Sequence, residues 1–178
     1  MNKEITIRAM TSDDWALYRD LRLKALADAP DAFGSTLEAE QDLPDEHWHT
    51  RLERASTSGH DLPLMAWADG VPVALAYAKV DAEAPGVINL FQMWVDPAHR
   101  GQGIALAMLD SVVSWAKSLH ATAVQLGVAS GQGAAMRIYL KAGFTPSGLA
   151  EPLRAGAHLL SQPMRLTLDP LSADPPLH

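Results

Sequence analysis

The stretch Val95-Asp96-Pro97-Ala98-His99-Arg100-Gly101-Gln102-Gly103-Ile104-Ala105 decides how the rest of the chain is read. It joins an apolar run, Val87 to Val95, to a Pro-marked turn, a glycine-rich loop with one arginine, and a helix start. The first N–H groups of a helix lack partners within it, and the helix dipole is positive at that end. Glycines there let a ligand approach the main chain, so the loop suits phosphate. Glycines that merely satisfy turn geometry are the alternative. A dinucleotide fingerprint would need Gly where Leu106 stands, and a Walker loop would need Gly-Lys-Ser/Thr, which the chain lacks.

Downstream of the loop, Ile104, Met108, Val112, Trp115 and Leu119 step by three or four residues, which predicts a helix with one buried stripe. Val124, Leu126 and Val128 then alternate as a strand over 122–128, Gln132 to Ala142 reads as a short helix stopped by Gly143, and strand material from Phe144 ends near Met164 to Leu168. Upstream, LPLMAWA and VPVALAYAKV flank Asp69-Gly70, a dipeptide favoured in tight hairpins because it tolerates positive φ. Residues 4–9 alternate as a strand. Thr11 opens a helix with Trp15, Tyr18, Leu21, Arg22 and Leu26 on one face, ending before Pro30, and a second helix runs from Pro44 to about Thr57 with Trp48, Leu52 and Ala55 inward. The order β α α β β β α β α β implies one α/β domain with a mixed sheet and at least one parallel crossover.

The composition limits what such a domain can do. Of 178 residues, 48% are apolar, enough for one sizeable core. A formal charge of −7 argues against nucleic acid or an anionic membrane as the main partner. The absence of cysteine excludes disulfides, thiolate catalysis and Cys-based metal centres. His47 and His49 flank Trp48, but residues two apart on a helix do not face one another, so no metal is expected. The opening MNKEITIRAM lacks the apolar run of a signal peptide, and a cytoplasmic protein is expected. The proline-rich stretch 169–178 is expected to be a flexible tail.

Two motifs in order carry a family resemblance. Arg100, Gly103 and Ala105 form one; Gln132, Ala135, Tyr139 and the pair Gly143-Phe144 form the other. Together they resemble the GNAT superfamily of N-acetyltransferases, over about residues 4–168. The resemblance implies a mixed sheet, flanked by helices, whose central strand and the strand at 122–128 splay apart to admit acetyl-CoA. Main-chain groups near Met93 and Val95 would then hold the pantetheine arm, and the amides of Gly101, Gln102, Gly103, Ile104 and Ala105, with Arg100, the pyrophosphate. Gln132 and Ala135 would border the arm; Gln132 stands where the family has Asn, keeping the amide and adding a methylene. A homodimer is compatible with the family.

The implied reaction sets chemical requirements. An alkyl ammonium, with pKa about 10.4, must lose a proton, and a thiolate, with parent pKa about 8.5, must leave. The resemblance places Tyr139 beside the sulfur as proton donor; packing as a core aromatic is its alternative. Many relatives carry Glu on the central strand, but VINLFQMWV offers only Asn89 and Gln92, which do not titrate. Glu38, Glu40, Asp81 and Glu83 are candidate bases, and a water chain could replace them. Phe33, Gly34, Glu38 and Trp94 are expected on the acceptor side, where the acidic run Glu38, Glu40, Asp42, Asp45, Glu46 points to a cationic small-molecule or peptide amine. A non-catalytic acyl-CoA-binding module and a protein N-terminal acetyltransferase are the rival readings.

Overall fold

The computed structural model describes residues 3–169. Among them the chain runs β1 (Ile5–Ala9), α1 (Trp15–Asp28), α2 (Leu37–Glu40), α3 (Asp45–Thr57), β2 (Asp61–Ala68), β3 (Val71–Val80), β4 (Val87–Val95), α4 (Ile104–Ser118), β5 (Ala123–Ala129), α5 (Gly133–Lys141), β6 (Thr145–Pro146), β7 (Glu151–Pro152) and β8 (Leu160–Thr167). The strands form one mixed sheet in the order β1-β2-β3-β4-β5-β8-β6, with β7 also on β8. Only β4 and β5 pair in parallel, joined through α4. The tail beyond Asp169 lies outside the described residues.

Asp69 and Gly70 take φ of 48° and 80°, the left-handed pair a two-residue hairpin needs between β2 and β3. Strand alternation then splits the core in two. Leu64, Ala66, Ala76, Ile88, Val124 and Leu126 face α4, while Met65, Trp67 and Leu75 face Tyr18, Leu21 and Leu26 of α1 and Trp48 and Leu52 of α3. The sheet is thus covered on both sides.

Several details differ from the sequence reading. The stripe of α4 buries Ile104, Met108, Leu109, Val112 and Ala116, with Trp115 partly buried against the same core, whereas Leu119 is 40% exposed because the helix ends at Ser118 and Leu119 is its cap. Thr11 caps a 3-10 turn, Ser12–Asp14, by donating its N–H to Asp14 (2.8 Å), and the α-helix begins only at Trp15. The four-residue helix α2 has no apolar period long enough to announce it. The largest departure is a bulge in β4. Gln92 sits at φ 58°, the register against β3 shifts between Leu75 and Tyr77, and side-chain parity inverts. Ile88 and Leu90 therefore face α4, but Trp94 faces α1.

Candidate active site between the splayed strands

β4 and β5 are paired only over Val87–Asn89 and Ala123–Gln125. Beyond that point β5 stays with β8 along its full length, while β4 continues against β3 to Val95. The β4 edge that turns toward β5 is left without a strand partner, and a cleft of about 1800 Å³ opens there. Extended backbone with free N–H and C=O groups is a ready receptor for an extended chain.

The glycine-rich loop borders this cleft. A 3-10 turn, Pro97–His99, precedes it, and Gly103 caps α4 at φ 81°. Gly101 has φ 76°, and a Cβ added at either glycine would meet nothing within 4 Å. Backbone conformation, not crowding, demands glycine here, and the space before the helix end is open. The residues present fit an anionic, extended ligand: free strand edge for the arm, open cradle at a helix N-terminus for phosphates.

Met93, Val95, Gly101, Gly103, Ile104 and Ala105 all border the cleft, as do Gln132 and Ala135. Gln102 does not. Arg100 lines it, but its guanidinium is already engaged. Nε donates to the Val95 carbonyl at 2.9 Å and Nη2 to Asp28 Oδ2 at 3.0 Å, so its first task is to hold the loop. Asp28, the last residue of α1, also accepts from Trp94 Nε1 at 2.9 Å. Nearby, Lys24 of α1 pairs with Asp96, whose other oxygen accepts the Ala98 N–H.

Tyr139 lies on the cleft-facing side of α5 and is 8% exposed. Its ring packs edge-on against Phe144 with centroids 5.9 Å apart. Burial pushes its pKa up, so the hydroxyl stays neutral throughout the physiological range.

The side where the sequence leads us to expect the acceptor is built differently. Phe33, Gly34 and Trp94 line the cleft, and Arg154 Nη1 clasps their loop by donating to the Phe33 carbonyl at 2.9 Å. Glu38 is exposed and does not reach the cleft. The acidic run does not ring it either. Glu40 is buried in a two-bond pair with Arg22 (3.2 and 2.8 Å), Asp45 pairs with Arg19, and only Glu46 of the five lines the cavity. Burial pushes the Glu40 carboxyl up, but the Arg22 hydrogen bonds and charge outweigh it and hold the pKa below the usual value. Asp81 is half-buried and accepts from Glu83 N, Ala84 N and Asn89 Nδ2 beside the paired end of β4, away from the opening. Neither it nor Glu83 lines the cleft.

Other side chains take their place there. Tyr18 donates to Gln92 Oε1 at 2.7 Å, fixing the bulge to α1. Tyr77 has its pKa pushed up to about 12 by burial and by the charge of Asp61. Arg22, Arg51, Asp61 and Tyr77 all border the cleft, although no motif joins them in sequence. Among the described residues no group of three or more His, Asp or Glu could hold a metal ion, and no helix is long and apolar enough to cross a membrane.

A cleft opened between a parallel strand pair, with a glycine cradle at a helix start, is the architecture of acyl-CoA-dependent transferases, and comparison with known proteins agrees. The model of the acetyltransferase (GNAT) family matches residues 22–144, and the chain belongs to that family, whose acyl donor is acetyl-CoA. An L-2,4-diaminobutyric acid acetyltransferase of Streptomyces avermitilis is 33% identical over 73 residues, 40% of this chain and 41% of that protein, so the match spans less than half of that relative. The GNAT-family acetyltransferase structure from Streptococcus pneumoniae superposes with a TM-score of 0.81 at 19% identity, covering 93% of this chain and all of that one (100%). Spermidine N-acetyltransferase from Vibrio cholerae, solved with CoA and spermine, gives 0.74 at 15% identity over 92% of this chain and 95% of that one.

Proposed function

We propose that this protein is an N-acetyltransferase that moves an acetyl group from acetyl-CoA directly to a primary amine within a ternary complex. The observation that carries this reading is the neutral, buried Tyr139 hydroxyl on the wall of the same cleft as the free edge of β4 and the Gly101–Gly103 cradle. A chain without cysteine has no thiol on which to park an acyl group, which favours direct transfer. The relative from Streptomyces, named for a diamino acid, supports an amine as acceptor.

Each part has a task. Bound acetyl-CoA supplies a thioester whose acyl group is transferred and whose thiol departs. The unpaired β4 edge near Met93 and Val95 holds the extended arm by strand-like hydrogen bonds, and the amides from Gly101 to Ala105 bind phosphate at the positive end of α4. Arg100 keeps that loop in register through Val95 and Asp28. Tyr139 Oη retains its proton because burial disfavours the phenolate, and so donates at the leaving sulfur. The four carboxylates expected as bases are spent or remote, and the open cleft lets water take the amine's proton.

The test is a coupled assay that detects CoA release from acetyl-CoA across a broad panel of amines. Wild type turns over at least one amine. Tyr139→Phe lowers kcat by about 10- to 1,000-fold with the acetyl-CoA KM nearly unchanged, as expected of a group acting on the departing thiolate. Binding of acetyl-CoA without CoA release for any acceptor would favour the non-catalytic module, and full activity in Tyr139→Phe would reduce that residue to packing.

A further inference from the structure

The acceptor half of the cleft carries two arginines with unused hydrogen-bonding capacity. Arg51, at the edge of the buried Trp48–Leu52–Ala55 face of α3, is half-buried and lines the cleft. Among the described residues it makes no hydrogen bond and no ion pair within 4.0 Å, although Glu46 and Asp61 border the same cavity. Arg22 is 4% exposed and lies 5.0 Å from the Phe33 ring centroid. Its Nε and Nη2 are taken by Glu40, but Nη1 is buried and without a partner.

The two guanidinium groups share their surroundings. Both charges act on the Tyr18 hydroxyl and on the Glu40 carboxyl, and Arg51, like Asp61, also acts on Tyr77. Glu40 is taken up by Nε and Nη2 of Arg22, so Arg51 faces the cavity without an ion-pair partner within 4.0 Å among the described residues. A buried donor without an acceptor costs about 1–3 kcal/mol, more if charged, and such groups in a cleft are ordinarily satisfied by what binds there. Planar guanidinium donors match a carboxylate better than they match an ammonium, which they repel. Glu46 and Asp61, with one Asp61 oxygen buried and unpartnered, supply negative charge on the same lining. A bipolar lining suits a zwitterion and penalises a plain polyamine.

We infer that Arg51, with the buried charge of Arg22 behind it, forms a carboxylate-recognition site in the acceptor half, so that the acceptor is an amino acid and not a simple amine. The inference rests on the acetyl-transfer reading only for the direction in which the site is used; recognition of the carboxylate is a binding property and is measured as one.

The experiment pairs each amino acid with its decarboxylated counterpart, such as lysine with cadaverine, ornithine with putrescine and phenylalanine with phenethylamine. Acetyl transfer and calorimetric binding in the presence of CoA are measured for wild type, Arg51→Gln and Arg51→Lys. The best amino acid exceeds its decarboxylated partner by about 10- to 100-fold in kcat/KM, mostly through KM, the scale of a lost hydrogen bond to a charged group. In Arg51→Gln that ratio collapses to near unity, Arg51→Lys restores part of it, and unchanged acetyl-CoA affinity shows that the fold is intact. A decarboxylated amine as the better acceptor, or a ratio that survives Arg51→Gln, overturns the inference while leaving acetyl transfer standing. Arg51-dependent binding of amino acids without any turnover supports the inference and defeats the transfer reading. Absence of both binding and turnover overturns both.

Discussion

The two halves of the cleft are made of different material. The half proposed for the cofactor is main chain: a strand edge at Met93–Val95, a loop at residues 100–105 and the start of α4, contiguous in sequence. The half proposed for the acceptor is side chain: Arg22 from α1, Phe33 from a loop, Arg51 from α3, Asp61 from β2 and Tyr77 from β3. A backbone site is written into the sequence because left-handed φ values and helix ends demand particular residues at fixed spacing. A side-chain site needs only that distant elements meet, and any scaffold of this shape can be refitted with new residues.

The largest effect should come from the acceptor half, because a buried charge is costly to orphan. Removing one member of a buried ion pair typically costs about 3–5 kcal/mol. Glu40→Ala leaves Arg22 uncompensated at 4% exposure, and denaturant unfolding should show a loss of that size. Arg22→Met with Glu40→Leu should cost much less than Glu40→Ala, since no charge remains to be desolvated. The pair also predicts acid sensitivity. Glu40 has a depressed pKa in the folded state, so its stabilisation is complete above the ordinary value of 4.5 and is lost as pH falls through the lower folded value. Wild-type stability should therefore decline below about pH 4.5, more steeply than that of Glu40→Gln. Identical slopes would mean the pair is not the titrating element.

A smaller effect tests the main-chain half. Gly103 sits at φ 81° with open space around it, so Gly103→Glu can fold at a cost of roughly 1 kcal/mol in backbone strain. Its carboxylate, however, takes the position that an anionic ligand needs, and acetyl-CoA affinity should fall by at least about 100-fold. Gly103→Ala carries the same strain without the charge and should retain most of the binding. Calorimetry on both separates electrostatic exclusion from loop distortion, and equal binding by wild type and Gly103→Glu would remove the loop from the cofactor site.

Legibility in the sequence followed the same division. The Asp69-Gly70 hairpin, the loop at 95–105 and the helix bearing Tyr139 could be placed because each requires particular residues locally. The bulge at Gln92 could not, since a non-glycine residue at positive φ is held there by its surroundings, notably Tyr18, and it alone sends Trp94 to the α1 side. Arg22 fell on the apolar face of α1 by spacing, but nothing in the sequence marked Glu40, 18 residues on, as its partner. The acidic run is a single feature in one dimension and disperses in three: one member buried, one paired with Arg19, one in the cleft. Arg51, Asp61 and Tyr77 belong to three different elements and had no common period to betray them.

The smallest effect probes the seam between the halves. Asp28 ends the acceptor-side helix α1 and accepts at one oxygen from both Trp94 Nε1 and Arg100 Nη2, so it ties α1 to the loop that precedes α4. The Arg100–Asp28 pair is half-exposed, with side chains at 52% and 30%, which limits its contribution to about 1 kcal/mol or less. Asp28→Asn retains a carbonyl for Trp94 and removes the charge that Arg100 meets, so acetyl-CoA affinity should weaken only about two- to fivefold. The informative quantity is the coupling between ligands. If Asp28 transmits order from one half to the other, a bound acceptor tightens acetyl-CoA in wild type, and the reciprocal effect must be equal by linkage. Both should shrink toward unity in Asp28→Asn while Tyr139-dependent turnover at saturation stays close to wild type. Binding of each ligand, with and without the other, measures this directly; coupling that is the same in wild type and Asp28→Asn would show that the two halves communicate by another route, or that each binds as though the other were absent.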